Sequence, residues 1–276
     1  MQNVHTSATS FPPAMHGIDA HRASTLGAAA FKSPASPIIS VTGAQQNNLL
    51  KALSRTDLES LFGDLELVAL PAGKRLFDLG GLYEYTYFPT NSIISLMYIN
   101  DDGASTEIAV VGHEGVVGVA LYDGERASCC AIVQTAGYAY RLKTSVLRAA
   151  FKQGGPLAQL MFRYTSALLT QIAQNVVASH HCSIEQKLAR WLLERLDRST
   201  SSEMKITQDS MASMLGVRRE SVTVAASKLQ DAGLIQYHRG TVEVLDRSGL
   251  ERHAGTCYQA AKAGFAQFLG LSASAM

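Results

Sequence analysis

The chain has 276 residues, enough for two ordinary domains, and nearly half of them are apolar, so it can bury a sizeable core. Its 24 Lys and Arg against 23 Asp and Glu leave a net charge of +1, so bulk charge says nothing about a nucleic-acid partner and the placement of charges must decide. No apolar run reaches the roughly 18 residues of a membrane span, and Met1 to Pro13 lack the basic start and apolar stretch of a secretion signal, which points to a cytoplasmic protein with no membrane partner.

Residues 1–45 are rich in Ala, Ser, Thr, Pro, Gly and His without a sustained period, the composition of a disordered arm. A short helix is predicted next: Leu50, Leu53, Leu58, Leu61 and Phe62 recur at helical spacing, and Ser54 can cap a turn ahead of Asp57. From 65 to about 142 the pattern becomes strand-like. Short apolar runs at 65–70, 75–79, 83–88, 93–99, 107–111, 116–121, 131–134 and 138–142 are separated by turn chemistry such as Pro71-Ala72-Gly73, Asp101-Asp102-Gly103 and Gly112-His113-Glu114-Gly115. That spacing predicts an antiparallel sandwich or roll over 46–150.

A helix follows at 144–151. Gly154-Gly155-Pro156 breaks it and opens another, with Pro156 suited to a first helical position. Leu157, Leu160, Met161, Tyr164, Leu168, Ile172 and Val176 then recur every three to four residues without a breaker up to His180. Such a stripe over 151–182 reads as a seam for a second copy of the same helix, giving a homodimer; packing on the chain's own roll is the other reading. Ser183 and Gln186 form a capping box for a further helix carrying Leu188, Trp191, Leu192 and Leu196.

The most informative stretch is 207–245. Thr207 can cap a helix with Asp209 in its first turn; Met211 and Leu215 share a face, and Ala212 lets a neighbour approach. Gly216 supplies a left-handed residue for a sharp turn, and Val217 plugs the corner. A second helix starts near Arg218 with Val222, Ala225, Ala226 and Leu229 as its buried face. This is a helix-turn-helix by spacing and residue size. Its opposite face offers Arg219, Glu220, Thr223 and Val224 to base edges: the Arg fork fits guanine, the carboxylate accepts from cytosine, and valine meets a thymine methyl. Thr207, Arg218, Ser221, Ser227, Lys228 and Arg239 are placed to meet phosphates. Two short strands at 234–237 and 241–245, joined by His238-Arg239-Gly240, read as a wing with a basic tip. Winged helix-turn-helix architecture is thus predicted over 183–258, with a tail over 259–276, and the implied partner is double-stranded DNA.

Other constellations are weaker. His113-Glu114 in its Gly-rich turn could be a metal pair, and a roll resembles metal-binding cupins, so a cupin-like metal- or small-molecule-binding protein or enzyme with an accessory helical domain is the alternative; further ligands at strand spacing do not appear, and a turn-forming role is the plainer reading. His180-His181-Cys182 reads as a helix end, since adjacent helical residues point about 100° apart. The four cysteines, Cys129, Cys130, Cys182 and Cys257, show no C-x-x-C pair or disulfide framework, which fits a reducing compartment. Cys129 and Cys130 fall on opposite faces of one strand, with one of them buried. No nucleophile-elbow or phosphate-loop pattern occurs, so no catalysis and no cofactor are expected.

Between 49 and 258 the chain resembles the Crp/Fnr family of bacterial transcription regulators. The resemblance is carried by Tyr87-Phe88-Pro89-Thr90, by Val111-Gly112-His113-Glu114-Gly115-Val116-Val117-Gly118, by Leu188-Ala189-Arg190-Trp191-Leu192-Leu193 and by Met214-Leu215-Gly216-Val217-Arg218-Arg219-Glu220-Ser221-Val222-Thr223. It implies an α+β fold: an N-terminal antiparallel β-roll of the jelly-roll, cyclic-nucleotide-binding type, a long dimerisation helix and a C-terminal winged helix-turn-helix. It also implies a homodimer on a palindromic operator, an RNA polymerase partner and a roll that senses an effector of unknown identity. Two departures bear on that effector. Where cyclic-AMP binders carry a Gly-Glu pair this chain has Gly118-Val119, and Arg126, near the phosphate position, is followed by Ala127 rather than Ser or Thr; both argue against a cyclic nucleotide. A second recognition-helix arginine of the family falls at Val224.

Overall fold

The computed structural model describes residues 40–120, 124–199 and 201–269, with side chains as far as Lys262. Most of the N-terminal arm and the last seven residues of the expected tail therefore lie outside the described residues. What is described begins earlier than expected. Ser40 Oγ caps a single turn, α1 (Val41–Ala44), by accepting from Gly43 N at 2.9 Å. Asn47 caps α2 (Asn48–Ala52), and Ser54 caps α3 (Arg55–Phe62), as its spacing to Asp57 predicts.

The roll consists of two antiparallel sheets. One has the order β1 (Glu66–Leu70), β7 (Gly137–Lys143), β3 (Tyr85–Pro89). The other has the order β2 (Arg75–Phe77), β6 (Cys130–Thr135), β4 (Ile93–Ile99), β5 (Ser105–Val111). The run expected as a strand at 116–121 is not one among its described residues; it makes a single bridge, Val117 to Tyr87. Between the sheets Leu70, Phe77, Tyr87, Ile94, Val111 and Val133 close an apolar core, as alternating inward side chains of two facing sheets must.

Helix α4 (Thr144–Lys152) leads into the long α5 (Pro156–His181), whose Pro156 sits at the predicted first position. The apolar stripe of α5 faces the roll. Leu157, Leu160, Met161 and Tyr164 are buried with Phe88, Val116 and Leu142, and the Tyr164 hydroxyl donates to Val116 O at 2.7 Å. Leu168 and Ile172 pack partly on the roll, and of the seven residues expected at a dimer seam Val176 alone is exposed. The seam assignment is therefore corrected for Leu157, Leu160, Met161 and Tyr164, which the helix buries on its own chain, while Val176 keeps an outward position. A second stripe, Phe162, Leu169 and Val176, spaced by seven residues, faces outward on the same helix.

After a two-residue joint α6 (Ile184–Leu196) turns back along α5, with the predicted Ser183–Gln186 capping box complete. It is covered on two sides. Leu188, Trp191 and Leu192 share one buried cluster both with the C-terminal core and with Met97 and Cys130 on the outer face of the roll. Three of its charged residues, Arg190, Glu194 and Arg195, are buried too. Arg195 donates to Glu107 of β5 at 2.6 Å and stacks on the Trp191 ring at 3.4 Å, while Glu107 also accepts from Ser95. Arg198 reaches Glu114 at 2.7 Å, and Arg190 pairs with Glu194 at 2.8 Å and bonds Asn175. Burial alone would raise the Glu114 carboxyl, but the Arg198 and His113 charges hold it below its ordinary value. The carboxylate of the predicted turn is thus a roll-to-helix tie.

The C-terminal part contains β8 (Glu203–Lys205), α7 (Gln208–Leu215), α8 (Arg219–Asp231), β9 (Ile235–His238), β10 (Thr241–Val244), α9 (Arg247–Ala254) and α10 (Thr256–Leu269). Strands pair in the order β8-β10-β9, β8 being an addition to the expected wing. The expected tail after 258 continues a helix that lies antiparallel on α5, Gln174 donating to Ala260 O at 2.8 Å. Cys182, at the end of α5, is joined to Cys257 of α10 by a disulfide, which corrects the expectation of unpaired cysteines. Cys129 lies in the bend before β6 and Cys130 opens that strand, so they do not share a strand as expected; both are buried, Cys129 between the sheets and Cys130 against α6.

Candidate nucleic-acid interface

The turn between α7 and α8 follows from three residues. Thr207 Oγ1 accepts from Ser210 N at 3.1 Å and starts α7. Gly216 ends it in the left-handed conformation, φ 63° and ψ 36°, and Val217 N closes back to Ala212 O at 3.0 Å. A β-carbon at Gly216 would also stand 2.8 Å from Thr106 Oγ1 of β5, so glycine is required both by backbone angle and by the approach of the roll. Arg218 then takes an extended conformation as N-cap with no side-chain cap. The first amides of α8 are left open, at the end where the helix dipole favours an anion.

Val222, Ala225, Ala226 and Leu229 are buried in the core, as their spacing predicts. The opposite face is open. Arg218, Arg219, Glu220, Thr223, Ser227 and Lys228 are exposed, Val224 is 54% exposed, and Ser221 is half-buried. These residues form one outward surface with exposed Thr207 at its edge. Arg239 stands at the wing tip, in a two-residue loop between His238 and Thr241. Its φ is +47° and that of Gly240 is +80°, the mirror-image turn that matches strand twist. An arginine held in the left-handed region is locally strained.

Three contacts at this surface escape prediction from spacing. Arg219 lies 3.4 Å from Asp209 on the preceding helix, both well exposed. Thr223 Oγ1 donates to Gln208 Oε1 at 2.8 Å. Lys228 Nζ lies 2.5 Å from Glu185 Oε1, and hydrogen bonds from Lys228 and Ser183 hold the Glu185 carboxyl down at about 2. The first two had a legible signal, since acidic and amide side chains sit in the first turn of α7; the third joins residues 43 apart in sequence. Among the described residues no ion pair engages Arg218 or Arg239, and no group of three His, Cys, Asp or Glu could hold a metal. No helix among them is long and apolar enough to cross a membrane.

Residues 186–253 match the model of the Crp-like helix-turn-helix domain. No curated protein matches the chain. Among solved structures it is similar to a transcriptional regulator of the Crp/Fnr family from Eubacterium rectale, with a TM-score of 0.63 at 15% identity over 76% of this chain and 99% of that one. It is also similar to FixK2 from Bradyrhizobium japonicum (TM-score 0.60, 17% identity, 70% of this chain and 98% of that one). A CRP-family transcriptional regulator from Thermus thermophilus gives a TM-score of 0.59 at 18% identity over 71% of this chain and 99% of that one. The chain therefore carries a Crp-like helix-turn-helix domain on the fold of the Crp/Fnr transcription regulators.

Proposed function

We propose that this protein is a sequence-specific DNA-binding transcription regulator, not an enzyme, acting in the cytoplasm as a homodimer on a palindromic operator. The observation that carries the reading is the open face of α8: forked donors, a carboxylate and an apolar contact stand together at the N-terminal end of an exposed helix, flanked by a basic wing tip. That is the set a major groove about 12 Å wide can read. The outward stripe Phe162, Leu169 and Val176 supports pairing through α5, in place of the residues buried on the roll. Recognition helices of the pair would then have to stand one DNA turn, about 34 Å, apart.

Selection of duplexes from a random pool, followed by mapping of bound genomic sites, tests the reading. Arg219→Ala is expected to weaken the selected site by about 1–3 kcal/mol and to relax preference at one base pair per half-site. Equal weakening on every sequence would move Arg219 from base edge to phosphate. Glu185→Gln should act oppositely. It releases Lys228 from its partner, so binding to any duplex tightens and the slope of log affinity against log salt steepens by about 0.9 per subunit. An unchanged slope would place Lys228 off the DNA.

We propose that the roll is the sensor and that its ligand is other than a cyclic nucleotide. Contacts at the two positions that depart from the cyclic-nucleotide pattern support that reading. Gly118 O accepts from Thr86 Oγ1 at 2.8 Å with Val119 packed partly into the core, and Arg126 donates to Gly80 O at 2.7 Å.

A further inference from the structure

We propose that Cys182 and Cys257 form a reversible thiol–disulfide site that sets the freedom of the α5–α6 joint and, through it, DNA binding. The second half of this inference rests on the function proposed above; the first does not. The joint is only Cys182 and Ser183: α5 ends at His181, Cys182 is extended at φ −97° and ψ 143°, and Ser183 caps α6. A bond at Cys182 therefore grips the chain where the long helix hands over to the DNA-binding part. Its partner is in the first turn of α10, which is anchored twice more nearby. Tyr258 donates to Asp197 at the end of α6 at 2.7 Å, and Gln174 of α5 holds Ala260 O. With the bridge formed, α10 is a strap fastened to both helices and to the joint between them. Reduction removes the fastening at the joint and leaves the hydrogen bonds, so the strap loosens without leaving.

The other two cysteines are poor competitors. Cys129 and Cys130 are buried, and burial pushes the Cys129 thiol up to about 11, where it stays protonated. Cys182 and Cys257 are only half-buried, so small oxidants and thiols can approach them.

The oxidant is a hydroperoxide. One thiolate attacks a peroxide oxygen; the O–O bond breaks, the alcohol leaves with a proton, and a sulfenic acid remains. The second thiolate attacks that sulfur, the S–S bond forms, and hydroxide leaves as water. Two thiols are oxidised, and one hydroperoxide becomes one alcohol and one water. Two small thiols reverse the bond through a mixed disulfide.

The test uses the full chain treated with hydrogen peroxide and then with reduced glutathione. Expected are a cross-linked peptide pair containing Cys182 and Cys257 that glutathione removes from the folded protein, and slower amide hydrogen exchange across 178–190 when the bond is present. On duplexes selected from a random pool the two redox forms should differ in affinity by about fivefold or more. Cys182→Ser and Cys257→Ser should each abolish both responses, whereas Cys129→Ser should keep them. A missing cross-link, a bond that glutathione cannot open, or equal exchange in both forms would overturn the site. Altered exchange with equal DNA affinity would overturn the coupling alone. Failure to select any duplex would instead remove the DNA reading and leave the exchange result standing.

Discussion

Replacing Arg195 by leucine is expected to destabilise the folded chain by about 3–5 kcal/mol, because it strands the Glu107 carboxylate in the interface between roll and α6. Both side chains are almost wholly buried, at 4% and 5% exposure, and Ser95 is the other group bonded to that carboxylate. The loss includes the stacking of Arg195 on Trp191, worth about 2 kcal/mol when desolvated. Replacing both partners, Arg195→Leu with Glu107→Leu, should restore much of the stability, since two apolar groups leave no buried charge. Urea unfolding of the single and double variants measures this. A single-variant loss below about 1 kcal/mol is what a solvated, surface-type pair would give, and would mean that water enters the interface.

Asn47→Ala is the second large effect, at about 2–4 kcal/mol. Asn47 is fully buried and uses its whole hydrogen-bonding capacity. Its Oδ1 accepts from Leu49 N at 3.1 Å and Leu50 N at 3.2 Å, capping α2, and its Nδ2 donates to Pro89 O at 2.9 Å and Gly115 O at 2.8 Å. One amide thus ties the N-terminal helices to the end of β3 and to the turn at Gly115. Asn47→Asp separates the roles. It preserves the cap but loses both donors and buries a charge, so it should be no more stable than the alanine variant. If Asn47→Asp unfolds at the wild-type urea concentration, the cap is the whole contribution and the ties to the roll are idle.

Neither residue stands out in the sequence, and the reason is the same for both. What could be read from residue order is what neighbours decide: the Ser183–Gln186 box, the Thr207 cap, the left-handed Gly216 and the three-to-four spacing of the buried face of α8 all depend on residues within one or two turns. The division of α8 into a buried and an outward face was therefore legible almost residue by residue. Partners far apart in sequence were not. Arg195 and Glu107 are 88 positions apart, Asn47 and Gly115 are 68, and the bridged cysteines are 75. An Arg or Glu on a helix, taken alone, reads as a solvated face. Periodicity on α5 identified an apolar stripe but not what it faces, because a helix seam and a sheet present the same demand. The second stripe, through Phe162, Leu169 and Val176, was masked by the stronger one beside it.

The burial of α6 on two sides has a further consequence. A helix clamped between two modules has no spare side on which substitutions are free, so the roll and the winged part cannot drift apart in sequence independently along it. Transplanting the winged part onto another scaffold from residue 183 onward would carry Trp191, Arg195 and Arg198 into water. The transplant would become compatible with its new host only if that host supplied acids where Glu107 and Glu114 now stand.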